Sequence, residues 1–272
     1  MKPRIAIPMP HAGDPEYAER AITQYERAVE LSGGEPVRIP LNRRPAELMQ
    51  FIEQCQGVLL PGSRADVDPA KFGASRHPRT TPPDPGRDVV DELLLQDAYN
   101  MRKPVLGICY GLQILNVYQS GTLVSHIESP VNHEAGREVA VAHAVAIDPG
   151  SKLAQVVGEA GDEKTAKPAI DREAGRGLAD FQARESCNAL LIPANSSHHQ
   201  AADTVGDGLR IVARCPQDNV IEALEGTRPD HFVLAVQWHP ERSWDQDPRS
   251  RSIFRALVEE AANWRRVRLF CI

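Results

Sequence analysis

Pro104-Val105-Leu106-Gly107-Ile108-Cys109-Tyr110-Gly111-Leu112-Gln113-Ile114-Leu115-Asn116-Val117-Tyr118 is the stretch on which the fold turns. Pro104 to Ile108 is apolar without alternation, as in a strand buried on both faces, and Leu112 to Tyr118 continues as a helix. Only Cys109 to Gly111 separates the two. The same alternation extends upstream. Arg4 to Pro8 reads as a strand, and Glu16 to Leu31 as a helix with Ala18, Ala21, Ile22, Tyr25, Ala28 and Val29 on one face, stopped by Gly33-Gly34. Pro36 to Pro40 reads as a strand, Pro45 to Cys55 as a helix with proline at its start, and Gly57 to Leu60 as a third strand. A polar, proline-rich loop then runs to Gly86, and a helix covers Asp88 to Arg102. Buried strands alternating with amphipathic helices predict an α/β domain with a mostly parallel central sheet flanked by helices, its functional residues at the carboxyl ends of strands.

The second half is less regular. Val139 to Ile147 alternates like a half-buried strand, and Ala189 to Pro193, Leu209 to Ala213, Val220 to Leu224 and Phe232 to Val236 read as short strands. A small antiparallel strand region is expected beside the parallel sheet, and a terminal helix covers Arg249 to Trp264. Between Gly161 and Glu185 eleven of twenty-five residues are charged, so this piece buries little and reads as a surface excursion from a single domain spanning 1–272.

Composition excludes several classes of function. The 272 residues are 42% hydrophobic and 25% charged with a formal net charge of −6, which is a folded, mildly acidic protein. No dense Lys/Arg block offers a site for nucleic acid or anionic lipid, and no apolar run approaches the roughly 18 residues of a membrane span. The N-terminus, Met1-Lys2-Pro3-Arg4, is not followed by a signal-peptide core, so a cytoplasmic location is expected. The five cysteines, Cys55, Cys109, Cys187, Cys215 and Cys271, are an odd number without C-x-x-C spacing, which argues against both a disulfide framework and a structural zinc site.

Cys109 stands in a G-x-C-x-G pattern, Gly107 to Gly111, at the strand-to-helix turn. A nucleophile elbow needs such glycines because side chains beside a tight turn collide, and the following helix start favours thiolate. A small buried cysteine at a strand end fits the same five residues. The second signal is Val236-Gln237-Trp238-His239-Pro240-Glu241, where an apolar strand ends on a histidine with a carboxylate two residues on. A cysteine nucleophile needs a base, and the imidazole needs an acceptor to fix its tautomer. In extended chain a spacing of two puts both side chains on one side. The order Cys, His, Glu disfavours an α/β-hydrolase, in which the acid precedes the histidine.

These residues resemble the class I glutamine amidotransferase-like superfamily, a flavodoxin-like fold, and within it the gamma-glutamyl-gamma-aminobutyrate hydrolase group of C26-type cysteine peptidases. The resemblance rests on Gly107 to Gln113, on Leu59-Leu60-Pro61-Gly62-Ser63 with Asp66-Val67-Asp68-Pro69 and Phe72-Gly73, on Asn195-Ser196-Ser197-His198-His199-Gln200-Ala201, on Val236 to Glu241, and on Ile147 to Ala154. It implies Cys109 as nucleophile, His239 as base and then acid, Glu241 as its orienting partner, and an oxyanion hole from the amides of Gly62 and Tyr110. It also implies that Gln113, Ser197, His198 and Gln200 line the acyl-donor pocket. The implied substrate is a small gamma-glutamyl conjugate, such as an intermediate of polyamine catabolism, with no cofactor. A homo-oligomer is compatible with it.

Other readings stay open at this point. A metal at His198 and His199 is disfavoured, because adjacent side chains diverge and no further ligand lies at metal spacing. Arg64 and Glu222, as isolated charges, read as solvated. The group commonly has arginine where this chain has Tyr110 and a Gly-Gly pair where it has Ser120-Gly121, departures that would reshape the acyl-donor or leaving-group side. The same fold also serves glutaminase subunits that pass ammonia to a synthase, and it could persist as a non-catalytic binding module.

Overall fold

The first helix begins where the Asp14 carboxylate accepts a hydrogen bond from the Tyr17 amide, with Pro15 in the first turn, where a missing N–H costs nothing. Asp84 and Pro85 repeat the device before Arg87. A computed structural model describes residues 1–158 and 189–270, with side chains as far as Arg265. In chain order its elements are β1 (Arg4–Pro8), α1 (Pro15–Leu31), β2 (Glu35–Ile39), α2 (Pro45–Ile52), β3 (Gly57–Leu60), α3 (Pro85–Met101), β4 (Val105–Ile108) and α4 (Tyr110–Tyr118). They continue with β5 (Leu123–Val124), β6 (His143–Ile147), α5 (Lys152–Gly158), β7 (Leu190–Ala194), β8 (Ala201–Ala202), β9 (Leu209–Arg214), β10 (Ile221–Gly226), β11 (Val233–Val236), α6 (Pro240–Ser243) and α7 (Pro248–Phe270).

One nine-stranded sheet runs in the order β2-β1-β3-β4-β11-β10-β9-β6-β7, and β5 pairs with β8 apart from it. The five strands from β2 to β11 are parallel. The short strands of the second half add to this block in antiparallel fashion. Alternate residues of each parallel strand face opposite ways. Ile5, Ile7, Leu59, Leu106, Ile108, Leu234 and Val236 pack with Ile22 of α1, Leu153 of α5 and Phe254 of α7. Ala6, Val58, Leu60, Val105, Val233 and Ala235 pack with Leu48 of α2, Leu94 of α3 and Leu115 of α4. Each large side chain buried this way stabilises the sheet by about 1.5–3 kcal/mol, which is why these strands show no polar alternation.

The α/β architecture expected from the sequence is the one observed. Several boundaries move. The strand expected from Val139 starts at His143, the last helix runs on to Phe270, and a 3-10 turn at Pro69–Phe72 interrupts the long loop after β3. The charged piece 161–185, Cys187 and Cys271 lie outside the described residues. No helix among the described residues is long and apolar enough to cross a membrane.

Candidate active site

Strands β3, β4 and β11 are neighbours, paired Leu60 with Gly107 and Ile108 with Val236. Two residues beyond Leu60 is Gly62, two beyond Gly107 is Cys109, and three beyond Val236 is His239, so register alone brings the three together at the carboxyl edge of the parallel block.

Cys109 sits at φ 54° and ψ −105°, a conformation costing about 1–3 kcal/mol for a residue with a side chain. It is held there from both sides. Its amide donates to Val236 O at 2.9 Å, and its carbonyl accepts from Leu112 N at 3.0 Å as α4 begins. A Cβ on Gly111 would lie 2.1 Å from Leu60 O, and one on Gly107 would lie 2.7 Å from Gly111 O, so both flanking glycines are required by close approach. Cys109 is the residue from which α4 starts, so it stands at the positive end of that helix's dipole.

His239 caps α6, and its Nδ1 lies 2.7 Å from Glu241 Oε1 with both side chains buried. The spacing in sequence predicted a meeting across extended chain; the pair meets instead through one helical turn, which Pro240 starts. A carboxylate can only accept, so Nδ1 carries hydrogen and Nε2 is the nitrogen left to exchange a proton with Cys109. Burial works against a charged imidazole here, but the Glu241 carboxylate and the Cys109 sulfur together outweigh it and His239 is raised to about 9. Burial likewise opposes charge on Glu241, yet His239 and then Arg242 draw its carboxyl below the ordinary value.

Gly62 lies against this pair: a Cβ there would be 3.0 Å from His239 Cε1 and 3.7 Å from Cys109 Cβ. Its amide donates to the buried Tyr25 hydroxyl at 3.1 Å. Burial, with Glu241 nearby, pushes the Tyr25 phenol well up, so the ring stays protonated. Arg87, fully buried, pairs with Asp91 at 2.8 Å and donates to Pro61 O at 2.9 Å and Pro10 O at 3.2 Å, fixing the loops that leave β3 and β1. The Tyr110 side chain does not reshape the pocket as expected. It is buried against α3, its hydroxyl donating to Asp88 at 3.0 Å and its ring beneath Arg87.

The loop after β7 meets the site through a residue that sequence reasoning passed over: Asn195 bonds His239 on both its main-chain N and O, each at 2.9 Å. Ser197 accepts from Arg242 Nη1 at 2.7 Å. Gln113 donates from α4 to Gln200 O at 3.0 Å, and Gln200 Nε2 reaches Ser125 O at 3.3 Å, so these two glutamines tie the loop to the elbow helix. His198 and His199 diverge as expected. His199 turns to Asp66 at 3.1 Å, while His198 turns inward toward Glu222. Glu222 is not solvated: it is fully buried, with His133, His143 and His198 around it. Arg64 is exposed, paired with Asp14 and lying over the Tyr17 ring.

With the strand ends, elbow and loop in place, comparison with known proteins gives a consistent answer. The family model for peptidase C26 matches residues 8–167 and 163–241, the second stretch ending on Glu241. The chain belongs to the peptidase C26 family. A protein of Mycobacterium tuberculosis named as a candidate glutamine amidotransferase is 36% identical over 243 residues, covering 88% of this chain and 67% of the relative. The gamma-glutamyl-gamma-aminobutyrate hydrolase of Escherichia coli K12 is 28% identical over 246 residues, covering 86% of this chain and 84% of that one. The crystal structure of a candidate GMP synthase component from Thermoplasma acidophilum superposes with a TM-score of 0.62 at 15% identity, covering 98% of each chain, a likeness of fold. As a peptidase C26 member the chain is a glutamine amidotransferase-like hydrolase of amide bonds.

Proposed function

We propose that this peptidase C26 member is a cysteine hydrolase that cleaves the gamma-glutamyl amide bond of a small conjugate, gamma-glutamyl-gamma-aminobutyrate or a close analogue, releasing glutamate and an amine. The observation that carries the reading is Cys109 on a strained elbow, beside a His239 whose Nδ1 is held by buried Glu241 at 2.7 Å. Cys109 Sγ, as thiolate, attacks the amide carbon, and the carbonyl electrons move onto oxygen. The Tyr110 amide, and the Gly62 amide once it turns from Tyr25, stabilise that oxyanion. Collapse breaks the C–N bond; the amine leaves with the proton from His239, and a glutamyl thioester remains. His239 then takes a proton from water, hydroxide adds to the thioester, and collapse releases glutamate and the Cys109 thiolate. Gln113, Ser197, His198 and Gln200 support the walls of the glutamyl pocket in this scheme.

The experiment is glutamate release from a panel of gamma-glutamyl amides, including glutamine and gamma-glutamyl-aminobutyrate, by the wild type and Cys109→Ala. Release that disappears in Cys109→Ala and favours the aminobutyrate conjugate over glutamine supports the proposal. The amidotransferase name of the Mycobacterium tuberculosis relative favours a second reading, a glutaminase subunit serving a synthase. Glutamine as the preferred substrate, with turnover rising on addition of a synthase, would select it. No release from any member, with a Cys109 thiol that labels like an ordinary one, would point to a non-catalytic module.

A further inference from the structure

His133, His143, His198 and Glu222 come from four separate segments: the loop after β5, strand β6, the loop after β7, and strand β10. All four are buried, and one donor atom from each lies within 4.8 Å of every other. Glu222 Oε1 is 3.4 Å from His133 Nδ1, 3.5 Å from His143 Nε2 and 3.8 Å from His198 Nε2.

These separations are too long for charged hydrogen bonds. Where this protein does pair an imidazole with a carboxylate, the atoms close to 2.7 Å at His239 and Glu241 and to 2.8 Å at His133 and Asp218. None of the three facing ring nitrogens, and neither oxygen of Glu222, has a hydrogen-bond partner. Five of the eleven buried side-chain atoms without a partner among the described residues fall in this one cluster. Bonds of about 2.0–2.1 Å to a tetrahedral ion set donor-to-donor edges of about 3.3–3.4 Å, close to the spacing seen.

The outer nitrogen of each ring is already held. His143 Nδ1 faces Ala144 O at 3.1 Å and His198 Nδ1 faces Gln200 O at 2.9 Å; a carbonyl only accepts, so both Nε2 atoms carry lone pairs directed at Glu222. His133 Nε2 faces Asp218, itself bonded to Ser129, so its Nδ1 is turned inward. A carboxylate or carbonyl behind each imidazole is how ligating histidines are oriented. We propose that His133 Nδ1, His143 Nε2, His198 Nε2 and Glu222 Oε1 bind one zinc ion as a closed, tetrahedral structural site. Three imidazoles suit zinc and not magnesium or calcium, which take oxygen shells, and four protein ligands leave no open position for catalysis.

The ion would lock the loop that carries Asn195 and Ser197 onto the antiparallel half of the sheet. That loop already docks on His133: Ser196 Oγ and the His198 amide both donate to His133 O, at 2.7 and 2.9 Å. A groove of about 420 Å³ between residues 126–134 and His198–His199 opens beside the cluster and gives an ion a way in.

The full-length chain, made without a polyhistidine tag in zinc-supplemented culture and dialysed against metal-free buffer, is assayed for bound metal by mass spectrometry. About one zinc per chain is expected for the wild type and for Cys215→Ala, and less than about a tenth for Glu222→Gln and His143→Gln. Chelator-stripped wild type titrated with Co2+ should develop the intense visible bands of tetrahedral cobalt, and zinc should raise its unfolding temperature. Wild type that retains no zinc, develops no cobalt bands and unfolds at one temperature with or without zinc overturns the proposal. So does Glu222→Gln that holds a full equivalent. If those variants do not fold, Asp218→Asn, which keeps all four ligands and changes the group that His133 and Ser129 share, should bind zinc about 10–100-fold more weakly, and unchanged affinity counts against the site.

Discussion

The side-chain amide of Asn195 grips the main chain of His239 on both sides, Nδ2 donating to His239 O and Oδ1 accepting from His239 N, each at 2.9 Å. The imidazole leaves β11 between a buried sheet and a one-turn helix, and these two bonds are what hold its backbone toward the β7 side. Orientation therefore reaches His239 twice, at the ring through Glu241 and at the backbone through Asn195.

Asn195→Ala removes both backbone partners and leaves buried groups unpaired. We expect a stability loss of about 1–3 kcal/mol and, through a displaced ring, a kcat lower by about 10–100-fold with KM changed much less. Thermal unfolding and steady-state kinetics of the purified variant check this. A normal kcat in a destabilised protein would reduce Asn195 to a packing residue.

The alkaline side of the pH profile should belong to His239. Its folded-state value, raised to about 9 from 6.5, means that it holds its proton through neutrality and releases it as pH climbs through about 9. The stabilisation this proton brings is full below 6.5 and is lost as pH rises through 9, so unfolding measurements should show stability declining across that interval. If the imidazolium must be present for the amine to leave, kcat/KM falls along the same limb. Glu241→Gln removes the main cause of the raise and should draw that limb down. Superimposable profiles for wild type and Glu241→Gln would sink the assignment.

Tyr25 tests the oxyanion hole. Its hydroxyl occupies the Gly62 amide in the resting structure, so the amide is shared between Tyr25 and the developing oxyanion. Tyr25→Phe leaves that amide without a partner until the oxyanion forms. The expected outcome is a stability loss of about 1–3 kcal/mol with kcat equal to or above wild type. A kcat falling by about 100-fold or more would mean that the Tyr25 hydroxyl itself stabilises the reaction and that Gly62 is not the donor.

The buried strands and the elbow were readable because their causes are local. Ile5 to Pro8, Val58 to Leu60, Val105 to Ile108 and Val233 to Val236 are continuous apolar runs, and only a sheet covered on both faces makes use of them. The glycines around Cys109 record contacts of 2.1 and 2.7 Å that no other residue tolerates. What stayed hidden was made by distance in sequence. Glu222 looked like a lone surface charge because His133, His143 and His198 lie on other strands and loops, and β10 becomes buried only when β9 and β11 pair with it. Asn195 stood inside a motif read for its histidines, and its bond to His239 spans 44 residues. Tyr110, expected at the pocket wall, follows helical geometry into α3, where Asp88 and Arg87 receive it.

Arg87 separates stability from positioning. It is fully buried, and its guanidinium answers Asp91 on the next helical turn as well as the Pro10 and Pro61 carbonyls. Arg87→Met leaves Asp91 as an unpaired buried charge, and we expect a loss of about 3–5 kcal/mol. Adding Asp91→Leu removes that charge and should restore most of the stability, because a buried pair replaced by apolar groups of similar volume is close to neutral. The Pro61 carbonyl, however, still lacks its donor in the double variant, and Gly62 follows directly in the chain. Unfolding temperature should therefore recover while kcat stays depressed. Recovery of both would place Arg87 among the residues that serve the fold alone, and recovery of neither would mean that the Pro10 and Pro61 loops need the guanidinium to form at all.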